Sequence, residues 1–235
     1  MPPESPFSIE VLDDADRVAH RAAAFVAAEA RAAVSARGRF VLAVSGGTTP
    51  WQMLRALADE DVPWSGFHIV QVDERVAPPG DTDRNLTHLR ASLLEHAPLP
   101  AGQIYPMPVE DSDLADAAAR YAKTLEQLAG SPPVLDLVHL GMGPDGHTAS
   151  LIPGDPVLDV HDADVATTGV YQGRRRVTLT YPLLNRARRI LWLVTGGNKA
   201  EMLRRLREAD SSIPAGRVRN PDMVVLADRA AAALV

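Results

Sequence analysis

An α/β fold, with a mostly parallel twisted sheet and helices on both of its faces, is what this sequence predicts. Three observations carry the prediction. Short apolar runs alternate with helix-periodic segments along almost the whole chain, the order that yields parallel strands joined by crossover helices. The runs FVLAV (40–44) and ILWLV (190–194) are apolar without alternation, as strands covered on both faces are. Finally, four runs end in unusual turns, SGGTTP, VDER, GMGPDGH and TGGNK, and parallel connectivity brings such turns to one edge of the sheet.

Residues 7–11 read as the first strand. Asp13 is a candidate N-cap for a helix to about residue 37, where Val18, Ala22, Phe25, Val26, Ala30 and Ala33 recur at helical spacing and Gly38 ends it. Residues 40–44 are a buried strand, and 50–58 a helix with Pro50 in its first turn. Strand 68–72 leads through a polar loop to a helix near 86–95. A short strand at 104–105, a helix at 113–129 and a strand at 135–140 follow. A short helix is expected after His147, then extended pieces near 165–170 and 176–180, a strand at 190–195, a helix at 199–207, a strand at 223–226 and a final helix at 228–234. No repeat or linker interrupts this series, so the 235 residues read as one Rossmann-like domain.

Composition narrows the function. The chain is 46% hydrophobic and 23% charged, an ordinary globular balance. A net charge of −6 without a basic block argues against nucleic acid. No apolar run approaches the roughly 20 residues that span a bilayer, and MPPESPFSIE lacks the parts of a signal peptide. A cytoplasmic setting is therefore expected, with no membrane and no obligatory protein partner evident. Cysteine is absent, which excludes thiol catalysis and thiolate metal sites.

Gly141, Gly143 and Gly146 match G-x-G-x-x-G after a strand, the opening of a dinucleotide site. Such a site needs a full crossover helix next, and Pro153, Gly154 and Pro156 forbid one. No cofactor is expected. Neither H-x-x-x-H nor a clustered carboxylate–histidine spacing occurs, so no metal is expected either.

Each of the four turns offers chemistry. In SGGTTP, Gly46 and Gly47 let backbone approach a ligand, the following helix offers free N–H groups, and Ser45 and Thr48 add hydroxyls. Without a lysine it is not a nucleotide P-loop; by itself it could be merely a capped helix. Asp73 and Arg75 place opposite charges at the ligand edge, with Asn85 ten residues on as a possible helix cap. His147 follows a flexible Gly146, and Asp145 can orient its ring or support its charge; His139, inside a strand, reads as structural. Lys199 sits in the first helical turn after two glycines, where the helix dipole disfavours a cation. That placement suggests a bound anion, phosphate above all. Arg176 is a candidate second cation, whereas Arg174 and Arg175 read as solvated.

Taken together, SGGTTP, VDERVAP, the DRN before a helix, GMGPDGHTASLIPG, RVTLTYPLLN and LVTGGNKAEML resemble the 6-phosphogluconolactonase family, part of a larger group that includes glucosamine-6-phosphate deaminases. The resemblance spans about residues 40–207. It implies hydrolysis of 6-phospho-D-glucono-1,5-lactone to 6-phosphogluconate, in the oxidative pentose phosphate pathway, without metal or cofactor. It also implies His147 as general base, supported by Asp145; Arg75 as a further catalytic residue that, with Asp73, binds or positions the sugar ring; Asn85 and Gly143 at the sugar; and Ser45, Gly46, Gly47, Thr48, Lys199 and Arg176 at the phosphate. Backbone N–H groups of the glycine-rich turns would meet the developing oxyanion. Two positions depart from the family pattern. Arg84 stands where serine is frequent and could alter the rim of the site. Ile152 stands where phenylalanine is commoner, and where the deaminases carry a proton-transferring glutamate, which disfavours deamination.

Overall fold

The computed structural model describes residues 7–235; MPPESP, the start of the stretch read for targeting, lies outside them. The chain runs β1 (Ser8–Leu12), α1 (Ala15–Arg37), β2 (Phe40–Val44), α2 (Thr48–Leu57), β3 (Phe67–Gln71), β4 (Asp73–Arg75), α3 (Asn85–Leu89), β5 (Ile104–Tyr105), α4 (Leu114–Ala129), β6 (Leu137–Leu140), β7 (Val165–Thr167), β8 (Arg176–Leu179), α5 (Tyr181–Arg186), β9 (Ile190–Val194), α6 (Ala200–Arg207) and β10 (Met223–Asp228). A single wide helical stretch, Arg90–Leu94, prolongs α3.

Within the described residues seven strands form one parallel sheet, in the order β1-β10-β9-β6-β2-β3-β5. From β2 the chain steps outward through β3 to β5, then returns to β6 and steps the other way. The direction reverses between β2 and β6, the switch point where open α/β sheets bind ligands. The four unusual turns follow β2, β3, β6 and β9, which lie side by side as β9-β6-β2-β3.

Alternate residues of the strands build two cores. Phe40, Leu42 and Val44 pack with the buried side chains of α1, α2 and α3. Val41 and Ala43 face the other way, toward α4, α5 and α6. The face that α1 buries is Val18, Val26 and six alanines, small side chains that let a long helix lie close to its neighbours. Asp14, not Asp13, caps it, accepting the Arg17 N–H at 2.8 Å. At the other end Gly38 (φ 74°) donates to Val34, a left-handed C-cap.

The structure departs from expectation in three further places. No helix follows His147: residues 148–151 form a tight turn closed by a Thr148–Leu151 bridge, with Ala149 at φ 52°. Residues 229–234 are turns, and the Asp228 carboxylate accepts the N–H groups of Gly196 and Ala231. A second, antiparallel sheet β4-β8-β7 stands beside the first. The sequence pattern predicts neither β4 nor α5.

Candidate active site

The SGGTTP turn is anchored from below. The Ser45 N–H donates to His139 Nδ1 at 3.2 Å, and the Ser45 hydroxyl to the His139 carbonyl at 3.0 Å. His139 is wholly buried and uncharged, burial pulling its imidazole down to about 3. Gly47 (φ 130°) then starts α2 with no side-chain cap. That leaves the helix's first N–H groups and its positive dipole end turned to the cavity. Across the cavity, Thr195 Oγ1 lies 2.7 Å from Thr49 Oγ1, and Gly196 is pinned by Asp228. Lys199 forms no ion pair among the described residues. Partial burial lowers its pKa, opposed by the charge of Asp145.

The VDER segment is built around Glu74. This fully buried carboxylate accepts from the N–H groups of Arg75, Asn85 and Leu86 and from the Gln71 amide. It thereby ties the start of α3 to β4. Asn85 donates to the Asp73 carbonyl (2.9 Å) and accepts from Arg75 Nη1 (2.8 Å). It is therefore a bridge within the site, not a cap. The fit against the glycine turn is tight, since a Cβ on Gly46 would come within 2.0 Å of the Asn85 amide oxygen. Asp73 accepts from the Ser150 hydroxyl at 2.6 Å.

At the third turn, His147 Nδ1 lies 2.6 Å from Asp145 Oδ1, which also accepts the His147 N–H. Burial opposes the Asp145 carboxylate, but His147's charge and hydrogen bonds, with the Tyr171 hydroxyl, outweigh it and hold its pKa below the usual value. An ionised carboxylate only accepts, so Nδ1 carries the proton and Nε2 is the basic nitrogen. Gly143 makes room for the pair. A Cβ there would lie 2.2 Å from the His147 ring and 2.6 Å from Asp145 Oδ1.

A cavity of about 410 Å³ opens where these turns meet. Among the predicted residues, Ser45, Gly46, Gly47, Thr48, Asp73, Arg75, Asn85, Gly143, His147, Arg176 and Lys199 all line it. Asp145 stands behind His147. Arg75 and Arg176 are directly opposite each other across the β4–β8 ladder. Like charges so placed repel, and the Nε atoms of both are buried without a partner. Burial chiefly, and Arg75 in part, lower the pKa of Arg176 against the attraction of Asp73. Three cations and one carboxylate thus face the space, an arrangement suited to an anion. Among the described residues no group of three His, Cys, Asp or Glu is placed to hold a metal ion.

Residues 13–226 match the sequence pattern of the family described as glucosamine-6-phosphate isomerases/6-phosphogluconolactonase. The chain belongs to this family. A 6-phosphogluconolactonase of Mycobacterium tuberculosis is 38% identical over 240 residues, covering 96% of this chain and 97% of its own. One from Nostoc sp. is 36% identical over 200 residues, 83% of each chain. The crystal structure of 6-phosphogluconolactonase from Thermotoga maritima superposes with a TM-score of 0.84 at 25% identity, over 94% of this chain and 99% of that one.

Set beside the sequence of this family member, the structure corrects three expectations about the site. Arg84 is not at the rim: it is buried between Glu74 (3.6 Å) and Glu110 (2.5 Å). Arg174 is not free in solvent, since it bridges Asp81 and Asp83. Not every glycine-turn N–H is open to an oxyanion. Those of Ser45, Gly143, Gly146 and Gly196 are already given to protein acceptors. Tyr171, Glu74 and Ser150 were missed. Glu74 at least had a signal, an acid next to the Asp73–Arg75 pair.

Proposed function

We propose that the chain hydrolyses 6-phospho-D-glucono-1,5-lactone to 6-phospho-D-gluconate, the lactonase step of the oxidative pentose phosphate pathway. The observation that carries this reading is the Asp145–His147 pair, 2.6 Å apart, at the wall of a cavity faced by Arg75, Arg176 and Lys199. The names of relatives such as those of Nostoc sp. and Mycobacterium tuberculosis point the same way.

His147 Nε2 takes a proton from water as the water attacks the lactone carbonyl. Asp145 orients the ring and supports the imidazolium. Collapse of the tetrahedral adduct breaks the ring C–O bond, and His147 returns the proton to the departing alcohol. Gly46, Gly47 and Thr48 at the α2 N-terminus, with Lys199 and Arg176, hold the phosphate, while Ser45, expected there too, gives both of its donors to His139 and anchors the turn instead. Arg75 meets the charge growing on the carbonyl oxygen, while Asp73 and Asn85 seat the sugar. The chemistry is assigned to side chains alone, without a metal, and residues 1–235 act as one sugar-phosphate unit. Ile152, buried beyond the dyad, offers no proton-transfer group for a deaminase reaction.

The test is the decay of freshly made 6-phosphogluconolactone, corrected for its spontaneous hydrolysis. A large excess rate should fall by about 10²- to 10⁴-fold in His147→Ala, the usual worth of a general base. No excess with the native chain, or an unimpaired variant, overturns the reading. Ammonia release from glucosamine 6-phosphate would favour the deaminase branch instead.

A further inference from the structure

We propose that Tyr171 is a positioning residue of this reaction, its phenol hydroxyl setting how tightly Asp145 holds the proton on His147. The inference rests on the reading of His147 as the base.

Tyr171 lies in the loop joining β7 to β8, where it and Arg174 exchange backbone hydrogen bonds. From the antiparallel sheet its side chain reaches across to the GMGPDGH turn of the parallel one. There the hydroxyl donates to Asp145 Oδ2 at 3.0 Å. The other oxygen, Oδ1, takes His147 Nδ1 and the His147 N–H. The Tyr171 ring stands edge-on to the imidazole, centroids 5.7 Å apart at 68°, and the Arg176 guanidinium lies 5.1 Å above it. The charged groups acting on this chain are Asp145, His147, Lys199 and Arg176.

The consequence follows from charge. A donor on Oδ2 draws carboxylate charge away from Oδ1, so the proton on the imidazolium is held less firmly and is more readily passed on. A merely structural Tyr171 would instead act through its ring, by shaping the loop and covering Arg176.

Tyr171→Phe separates the two, because it keeps the ring and removes only the hydroxyl. We expect kcat to fall about 3- to 10-fold, the scale of one hydrogen bond, with KM and melting temperature unchanged. With the charge concentrated on Oδ1, the acidic limb of the kcat/KM profile should move to higher pH. The His147 ring proton, followed by NMR titration, should move with it. An unchanged limb, or one displaced to lower pH, overturns the inference. If the native chain shows no lactonase excess, the proposed function fails on its own. The NMR titration still decides whether the hydroxyl acts on the dyad, since it needs no turnover.

Discussion

The two walls of the cavity are made differently. One belongs to the parallel sheet, where the glycine turns after β2 and β9 present backbone N–H groups and a helix dipole, with Lys199 as its side-chain cation. The other belongs to the small antiparallel sheet, where β4 and β8 present Arg75 and Arg176 as cross-strand neighbours. The first wall draws an anion through groups that the fold leaves open anyway. The second sets the buried guanidinium of Arg176 against the half-buried one of Arg75, a repulsion that Asp73 opposes and a bound anion would relieve further. Backbone can thus bind phosphate with little penalty to the empty protein, whereas buried side-chain charge is held ready against stability. The dyad lies on the turn after β6, and its partner Tyr171 comes from the second wall.

The largest break in this comparison should come from Gly143→Ala, which adds a Cβ where the His147 ring now lies. Displacing the base by an ångström costs about 10²-fold in rate, and kcat should fall on that scale while the circular dichroism spectrum stays native. A Gly143→Ala enzyme with native kcat would refute the tight fit.

Next is Arg176→Met. Losing one charge-assisted contact of about 1.5–3 kcal/mol should raise KM about 10- to 150-fold. The same change removes a buried charge opposite Arg75, so the unliganded protein should melt no lower than the native one. A clear drop in melting temperature would contradict the view that the second wall is strained when empty. Lys199→Met, on the wall where the cation is half-exposed, should raise KM less and leave stability unaffected.

His139 beneath the first wall titrates with a definite sign. Its folded pKa of about 3 lies below the 6.5 of a free imidazole, so between those values only the unfolded chain takes the proton. Stability is full above pH 6.5 and should fall by about 1.4 kcal/mol for each unit below it, down to about pH 3. His139→Asn keeps an acceptor for the Ser45 N–H and cannot titrate there. Denaturant unfolding at pH 7 and pH 4.5 should show a smaller acid loss in the variant; equal losses would exclude His139 as the source. The smallest effect belongs to Arg174→Gln. Its pairs with Asp81 and Asp83 are partly solvated, worth about 1 kcal/mol or less; a larger loss of stability would make this rim a true clamp.

Much of the site was legible in the residues because its parts are local. A glycine pair before a helix, or Asp-Gly-His after an apolar run, has chemical meaning within six residues, and eleven of the predicted side chains or turns do line the cavity. The helix expected after His147 was an error of local reading. The segment was apolar enough, but Ala149 in a left-handed conformation and Pro153 close it as a turn. The final helix shrinks to turns over 229–234, where Asp228 still accepts the N–H groups of Ala231 and Ala232 as a helix start does, and also that of Gly196 from the turn after β9. Tyr171, in a polar loop 26 residues from Asp145, carried no local signal at all.

By itself the sequence determined the alternation of strands and helices, the two-faced burial of the central strands and the chemistry of each turn. All of these depend on side-chain periodicity and backbone freedom over a few residues. Only the tertiary structure decided which turns are neighbours, that β4 leaves the main sheet to pair with β8, and that Tyr171 reaches the dyad. Those outcomes depend on strand order and antiparallel register, which bring together residues about a hundred positions apart, such as Arg75 and Arg176. No short window of sequence encodes such a pairing, because its energy comes from closing the whole sheet.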